Sequence, residues 1–225
     1  MNRLKTLVAI AVMTAMAGTA SLAQELPDSR KMAVGMRKNQ EELRKYSWNS
    51  TVSFQVDGVQ RRIDTYTMRY VMGGMLQNMQ ISSNVEKGKI RRPDGSKFSK
   101  KEQEAAHEFV LEAKRQVDNY LNPMFAEKAV ASATAMTNEE TLLLLSRDVI
   151  TNGDTVEIEL VKSSLRPLSA KITTSIDDSP VELDVTFGSI DYGPNHPARS
   201  ITTTEWQGMK LTITTMNYNY AKQGR

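Results

Sequence analysis

The chain has no cysteine. That excludes disulfides, thiolate nucleophiles and a lipid-bearing cysteine at a processed N-terminus. Histidine is nearly absent as well, two in 225 residues, which is little for chemistry that depends on a metal or a base. Glu104 and His107 stand at i, i+3 like half of a carboxylate-bridged metal site, but the second Glu-x-x-His such a site needs is missing. His196, between Asn195 and Pro197, reads as part of a turn. No G-x-S-x-G elbow, H-E-x-x-H pair or phosphate-cradling glycine loop occurs. Asp177-Asp178 reads as a turn, because adjacent Asp side chains bond the local backbone. The sequence therefore gives no catalytic residue, no metal site and no cofactor, and the expectation is a protein that is not an enzyme.

Long apolar runs are also missing beyond the N-terminus. The opening "MNRLK" carries Arg3 and Lys5, "TLVAIAVMTAMAGTA" is apolar, and "SLA" ends in small residues before Gln24. This pattern is that of a secretory signal peptide spanning 1–23, with cleavage after Ala23. Its apolar stretch is short for a membrane anchor. The expectation is a periplasmic or secreted protein with no transmembrane segment in the mature chain. Removal of the leader takes two of the 29 basic residues and none of the 26 acidic ones. The near-neutral remainder has no charge footprint for nucleic acid.

What is present is periodicity. After Pro27, Met32, Met36 and Leu43 fall at helical spacing, with Glu41 placed to pair with Lys45, and the helix ends near Tyr46. The period then changes to two. Tyr46, Trp48, Val52, Phe54 and Val56 alternate with polar residues, and Asp57-Gly58 signals a hairpin. A second strand shifts phase between Ile63 and Tyr66, so a β-bulge near Asp64-Thr65 is expected, bringing Trp48 to Met68 and Tyr46 to Tyr70. A Gly73-Gly74 turn would then set Met72 against Met75, Met68 against Met79 and Tyr66 against Ile81. All of these land on one face.

Ser99 and Glu102 form a capping box at the start of a helix with Phe109, Ala113, Val117 and Tyr120 on one side. Asn122-Pro123 opens another helix. Strands return after residue 140: Asn152-Gly153 aligns Val149 with Val156, "DDSP" aligns Ile176 with Val181, and Gln207-Gly208 sets Trp206 beside Met209. The last strand shifts phase between Ile213 and Met216.

About nine strands with one wet face predict an antiparallel sheet. A twisted sheet of that size curls, and its inner face must be covered. The fold class is α+β: a strongly curved half-barrel covered on its concave face by helices. It is a single domain over 24–225, with a helical insertion near 99–140.

Trp48, Tyr66, Met68, Tyr70, Met72, Met75 and Met79 converge on the inner face. Methionine adapts to varied partners, and tyrosine and tryptophan add area with a polar tip. The set reads either as ordinary core, the commoner fate of such residues, or as the lining of a lipid site. The run "KGKIRRPDGSKFSKK" supplies Lys89, Arg91, Arg92 and Lys97. It reads either as a solvated loop or as a surface for anionic headgroups or a partner.

The stretches "LRKYSWNSTVSFQVDGVQRR" and "ELDVTFGSIDYGPNHPARSITTTEWQGMKLTITTMNY" resemble a family of uncharacterised exported bacterial proteins. The order of an N-terminal helix, long hairpins, a helical insertion and further strands is similar to periplasmic lipoprotein carriers of the LolA type. That second resemblance implies a half-barrel enclosing an apolar cavity for acyl chains. The expected function is an exported binding protein holding a lipid, an acyl chain or a lipidated protein between sheet and helices. The alternative is a cell-envelope interaction module with a filled core, recognising another envelope protein by an edge strand or the basic loop.

Overall fold

The computed structural model describes residues 29–71, 75–86, 91–92, 94–120 and 128–224. The leader through Ala23, Met72, the Gly73-Gly74 pair, Lys89, the His107 side chain and the helix opening at Asn122-Pro123 lie outside the described residues.

Helix α1 (Ser29–Leu43) leads into three strands, β1 (Tyr46–Val56), β2 (Val59–Tyr70) and β3 (Leu76–Val85). Helix α2 (Lys100–Tyr120) follows. The rest is a meander: β4 (Thr134–Thr137), β5 (Thr141–Arg147), β6 (Thr155–Val161), β7 (Pro167–Ile176), β8 (Ser179–Ser189), β9 (Asn195–Trp206) and β10 (Met209–Lys222). All ten strands, one more than the nine expected, form a single sheet in the order β3-β2-β1-β10-β9-β8-β7-β6-β5-β4. The first and last strands of the two meanders join them, as β1 pairs antiparallel with β10.

The tight turns follow from residues that tolerate positive φ. Asp57-Gly58 sits at 49° and 77°, Gln207-Gly208 at 50° and 77°, and Asp177-Asp178 at 45° and 64°. The last pair makes a two-residue turn, so Ser179-Pro180 belongs to β8 and Ile176 meets Ser179 rather than Val181. A shift of two leaves the faces unchanged. The β5–β6 connection departs further from expectation. The Asp154 carboxylate accepts hydrogen bonds from the backbone N–H groups of Val149, Ile150 and Thr151 at 2.7–3.0 Å and from the Tyr120 hydroxyl at 2.8 Å. This loop sets Ser146 opposite Val156 and Leu142 opposite Leu160, where an Asn152-Gly153 hairpin would have paired Val149 with Val156.

The capping box forms as expected: Ser99 N–H donates to Glu102 Oε2 at 2.8 Å and Glu102 N–H to Ser99 Oγ at 3.3 Å. From that cap, Phe109, Ala113, Val117 and Tyr120 are buried along one side of α2. The helix joins two apolar clusters. Phe109 and Ala113 pack with Phe98, Val56, Ile176, Val181, Met209 and Leu211. Val117 and Tyr120 belong to the cluster of Met32, Leu142, Leu144, Leu160, Ile172 and Leu183. Helix α1 is held at the other end of the strands, where Asn39 Nδ2 donates to the Asn195 carbonyl at 2.9 Å and Asn195 N–H donates to Asn39 Oδ1 at 2.7 Å.

The strongly curved half-barrel is not there. The sheet is open, with β3 and β4 as its two edges, and all ten residues of β3 are exposed. The cause lies in one connection. Val71 N–H donates to the Met75 carbonyl at 2.9 Å, so three residues separate the paired positions instead of two. Thr67, not Met68, therefore faces Met79, and Tyr70 faces Leu76. A one-residue slip sends side chains to the opposite face, here from Leu76 to Gln80, until the pairing shifts back between Gln80 and Ser82. The helix-side positions of β3 become Leu76, Asn78, Gln80, Ser83 and Val85, opposite Tyr70, Met68, Tyr66, Asp64 and Arg62. A mainly polar row in β3 leaves the edge of the sheet little apolar surface to curl around, so the aromatic face of β1 and β2 is not closed over by it.

Candidate functional site

The β1–β2 hairpin positions the helix-side residues of the candidate site. Its bulge falls at Arg61, since Gln55 pairs with Gln60 and Phe54 with Arg62. It was expected near Asp64-Thr65. Beyond it Trp48 meets Met68, as the sequence predicts, while Ser50 meets Tyr66 and Val52 meets Asp64. The earlier bulge turns Ile63 to the outer face and brings Asp64 to the helix side.

Trp48 is buried. Its ring stacks on Tyr220, with centroids 5.5 Å apart and planes at 15°, and meets Tyr70 at 5.7 Å and 50°. Tyr220 reaches this face because Asn219, at φ 55°, marks a bulge in β10, and the pairing with β1 shifts between Ser47 and Asn49. The expected break between Ile213 and Met216 is instead regular pairing. His196 lies on Tyr220 at 3.9 Å and against Gly188, where an added Cβ would come within 3.3 Å of the imidazole. Burial pushes the Tyr70 hydroxyl up, with Arg44 opposing, and it pushes Tyr220 up further, reinforced by Tyr70. Burial also pushes His196 down, against a hydrogen bond with the Pro197 backbone. This is a neutral aromatic cluster at ordinary pH.

Beside it lies a polar network that the sequence reading missed. The buried Asp64 carboxylate accepts from Arg62 Nε at 2.9 Å, the Tyr66 hydroxyl at 3.1 Å and Gln80 Nε2 at 3.3 Å. Burial alone would raise the Asp64 pKa, but hydrogen bonds from Arg62, Ser83 and Tyr66 together hold it below the usual carboxylate range. The signal was present as Arg62-x-Asp64-x-Tyr66, three polar residues at period two. The phase change obscured it.

Of the seven residues predicted to converge, Trp48, Tyr66, Met68 and Tyr70 share the helix side. Met75 and Met79 point to the outer face and are 67% and 64% exposed, and Met72 lies outside the described residues. Depressions of about 500 Å³ and 630 Å³ occur elsewhere, around Glu157 and Lys171 and around Glu140 and Lys162, and neither touches the aromatic cluster.

The basic run folds partly on itself. Arg91 bridges Lys97 and donates to the Gly95 carbonyl at 3.0 Å. Arg92 is paired with Glu102 and lies 4.9 Å from the Phe98 ring centroid. Arg91 and Lys97 remain exposed, whereas Arg92 serves the base of α2. Among the described residues, no three His, Asp or Glu side chains are grouped to hold a metal. No helix among them is long and apolar enough to cross a membrane.

No protein-family model and no curated protein matches the sequence. Solved structures give a distant similarity. A putative outer membrane lipoprotein-sorting protein domain from Vibrio parahaemolyticus is 11% identical, with 87% of this chain and 94% of that chain covered, at a TM-score of 0.45. A DUF1329 family protein from Desulfovibrio piger is 11% identical over 86% of this chain and 91% of its own, at 0.40. A LolA superfamily protein from Nitrosomonas europaea is 11% identical over 86% and 94%, at 0.37.

Proposed function

We propose that the chain is an exported binding protein that takes an amphipathic guest, a lipid or the acylated end of a lipoprotein, on the helix-side face of β1, β2 and β3. The role is binding without catalysis. The observation that carries this reading is the row Trp48, Met68, Tyr70 and Leu76, which runs out to the exposed edge strand and adjoins the Arg62–Asp64–Tyr66–Gln80 network. Apolar burial would hold the chain, and the network would meet a polar head. A sixteen-carbon chain contributes on the order of 12 kcal/mol when fully buried, before binding costs, and correspondingly less on an open face. The charged leader followed by an apolar segment and small residues supports export.

The test is native mass spectrometry, with lipid extraction, of the mature protein purified from its own compartment. The expected result is a stoichiometric lipid adduct that Met68→Glu abolishes while secretion and the circular dichroism spectrum stay unchanged. A clean apo mass after incubation with mixed lipids overturns the reading.

One observation favours a second reading, an envelope interaction module: β3 is a fully exposed edge. In that case photo-crosslinking from β3 captures a defined partner. Charge reversal at Arg91 changes the yield only if the exposed part of the basic run shares the contact.

A further inference from the structure

Edge strands are ordinarily protected by lysine, proline or shortness, because their unpaired backbone groups invite another strand. The β4 edge follows that rule with four residues, Thr134–Thr137. The β3 edge does not. Its sequence, LQNMQISSNV, runs for ten residues with no charge and no proline, and every residue is exposed. Leu76 and Val85 are exposed on the helix side, and Met75 and Met79 on the outer side.

We infer that β3 pairs with β3 of a second copy of this chain, antiparallel about a two-fold axis, to make one continuous sheet through the dimer. The strand is self-complementary in that arrangement. Its pairing with β2 passes from Thr65–Ser82 to Tyr66–Gln80, which leaves Ile81 as the extra residue of a bulge. The two faces therefore change parity at Ile81. In a regular strand, antiparallel partners on one face sum to an even number. Here the register that overlaps all ten residues, with the axis between Gln80 and Ile81, matches the faces because of the bulge. Leu76 meets Val85 and Asn78 meets Ser83 on the helix side; Gln77 meets Asn84 and Met79 meets Ser82 on the outer side. The strand's lack of charge means that no like charges oppose one another within the ladder. A C2 contact of this kind uses the same patch on both copies and closes on itself, so the exposed edge is consumed without forming a fibre.

This inference goes beyond the lipid reading and does not rest on it. The first measurement is sedimentation equilibrium of the mature chain, where a dimer is expected with or without lipid and also in Met68→Glu. Ile81→Lys, which brings two like charges beside the axis, is expected to give a monomer with an unchanged circular dichroism spectrum. The register is read by mild oxidation, on a background free of cysteine. A mixture of Met79→Cys and Ser82→Cys chains should crosslink, whereas Met75→Cys alone should not, its two copies lying ~36 Å apart at ~3.3 Å per residue. A single-chain mass at every concentration, a dimer that survives Ile81→Lys, or Met75→Cys crosslinking as well as the mixed pair overturns the inference. So does a mass increase that appears only when a different protein is added.

Discussion

At the residue scale, His196 is a buried group whose charge bears on stability near neutrality. It is 8% exposed, and its Nδ1 has no partner among the described residues. Burial favours the neutral ring in the folded state and lowers its pKa. The unfolded ring titrates near its free value of ~6.5. Above that pH neither state is protonated, and the fold keeps its full stability. As pH falls through it, the unfolded chain binds the proton more readily and stability is lost until the folded pKa is reached. The urea midpoint should therefore fall between pH 7.5 and pH 5, roughly the window set by the free histidine value. The profile should flatten in His196→Gln. An equally steep profile in that variant would remove His196 as the cause.

At the scale of elements, α1 is tied to the sheet by the reciprocal Asn39–Asn195 pair, which copies a backbone ladder with one side chain. Asn39→Ala leaves the Asn195 N–H and carbonyl to find water. The expected outcome is faster hydrogen exchange along α1, with protection in β7–β9 unchanged. The local cost is about 1–3 kcal/mol. Uniform acceleration across the sheet would show that α1 is integral to the core instead.

The same scale shows what the sequence made legible. Asp57-Gly58, Gln207-Gly208 and the Ser99–Glu102 box each depend on a few adjacent residues, and each forms where it was read. The Met75–Met79 placement depended on loop length. A two-residue Gly73-Gly74 turn and a three-residue connection are both compatible with this glycine-containing stretch, yet they send Met79 to opposite faces. Bulges are as hard to place. The phase change in β2 was visible, but its position at Arg61 rather than Asp64 decides whether an aspartate or an isoleucine faces inward. Tyr220 escaped because a single left-handed residue, Asn219, re-aims the end of β10, and His196, read as part of a turn, lies in β9 opposite Gly188 instead.

At the scale of the whole molecule, α2 couples the two apolar clusters by burying its first half in one and its last turns in the other. Unfolding should then be a single transition. Phe109→Ala in the first cluster and Leu144→Ala in the second should each cost about 2–5 kcal/mol. Each should move the same midpoint, whether read by tryptophan fluorescence or far-UV circular dichroism. Two midpoints that separate in either variant would show that the clusters melt independently.

The pairing of β1 with β10 also fixes an order of events. Gln223 Nε2 donates to the Tyr46 carbonyl across 177 residues of chain at 3.0 Å, and the ladder between the two strands runs from Tyr46–Lys222 to Val56–Leu211. During synthesis the N-terminal meander emerges first, yet the strand it docks against emerges last. Contacts so distant in sequence form slowly, because the loop must close before pairing stabilises it. Until then Trp48, Met68 and Tyr70 are unshielded on a nascent chain, the condition under which hydrophobic segments aggregate. The residues proposed to receive a guest are thus those with most need of a holding chaperone before the C-terminus arrives.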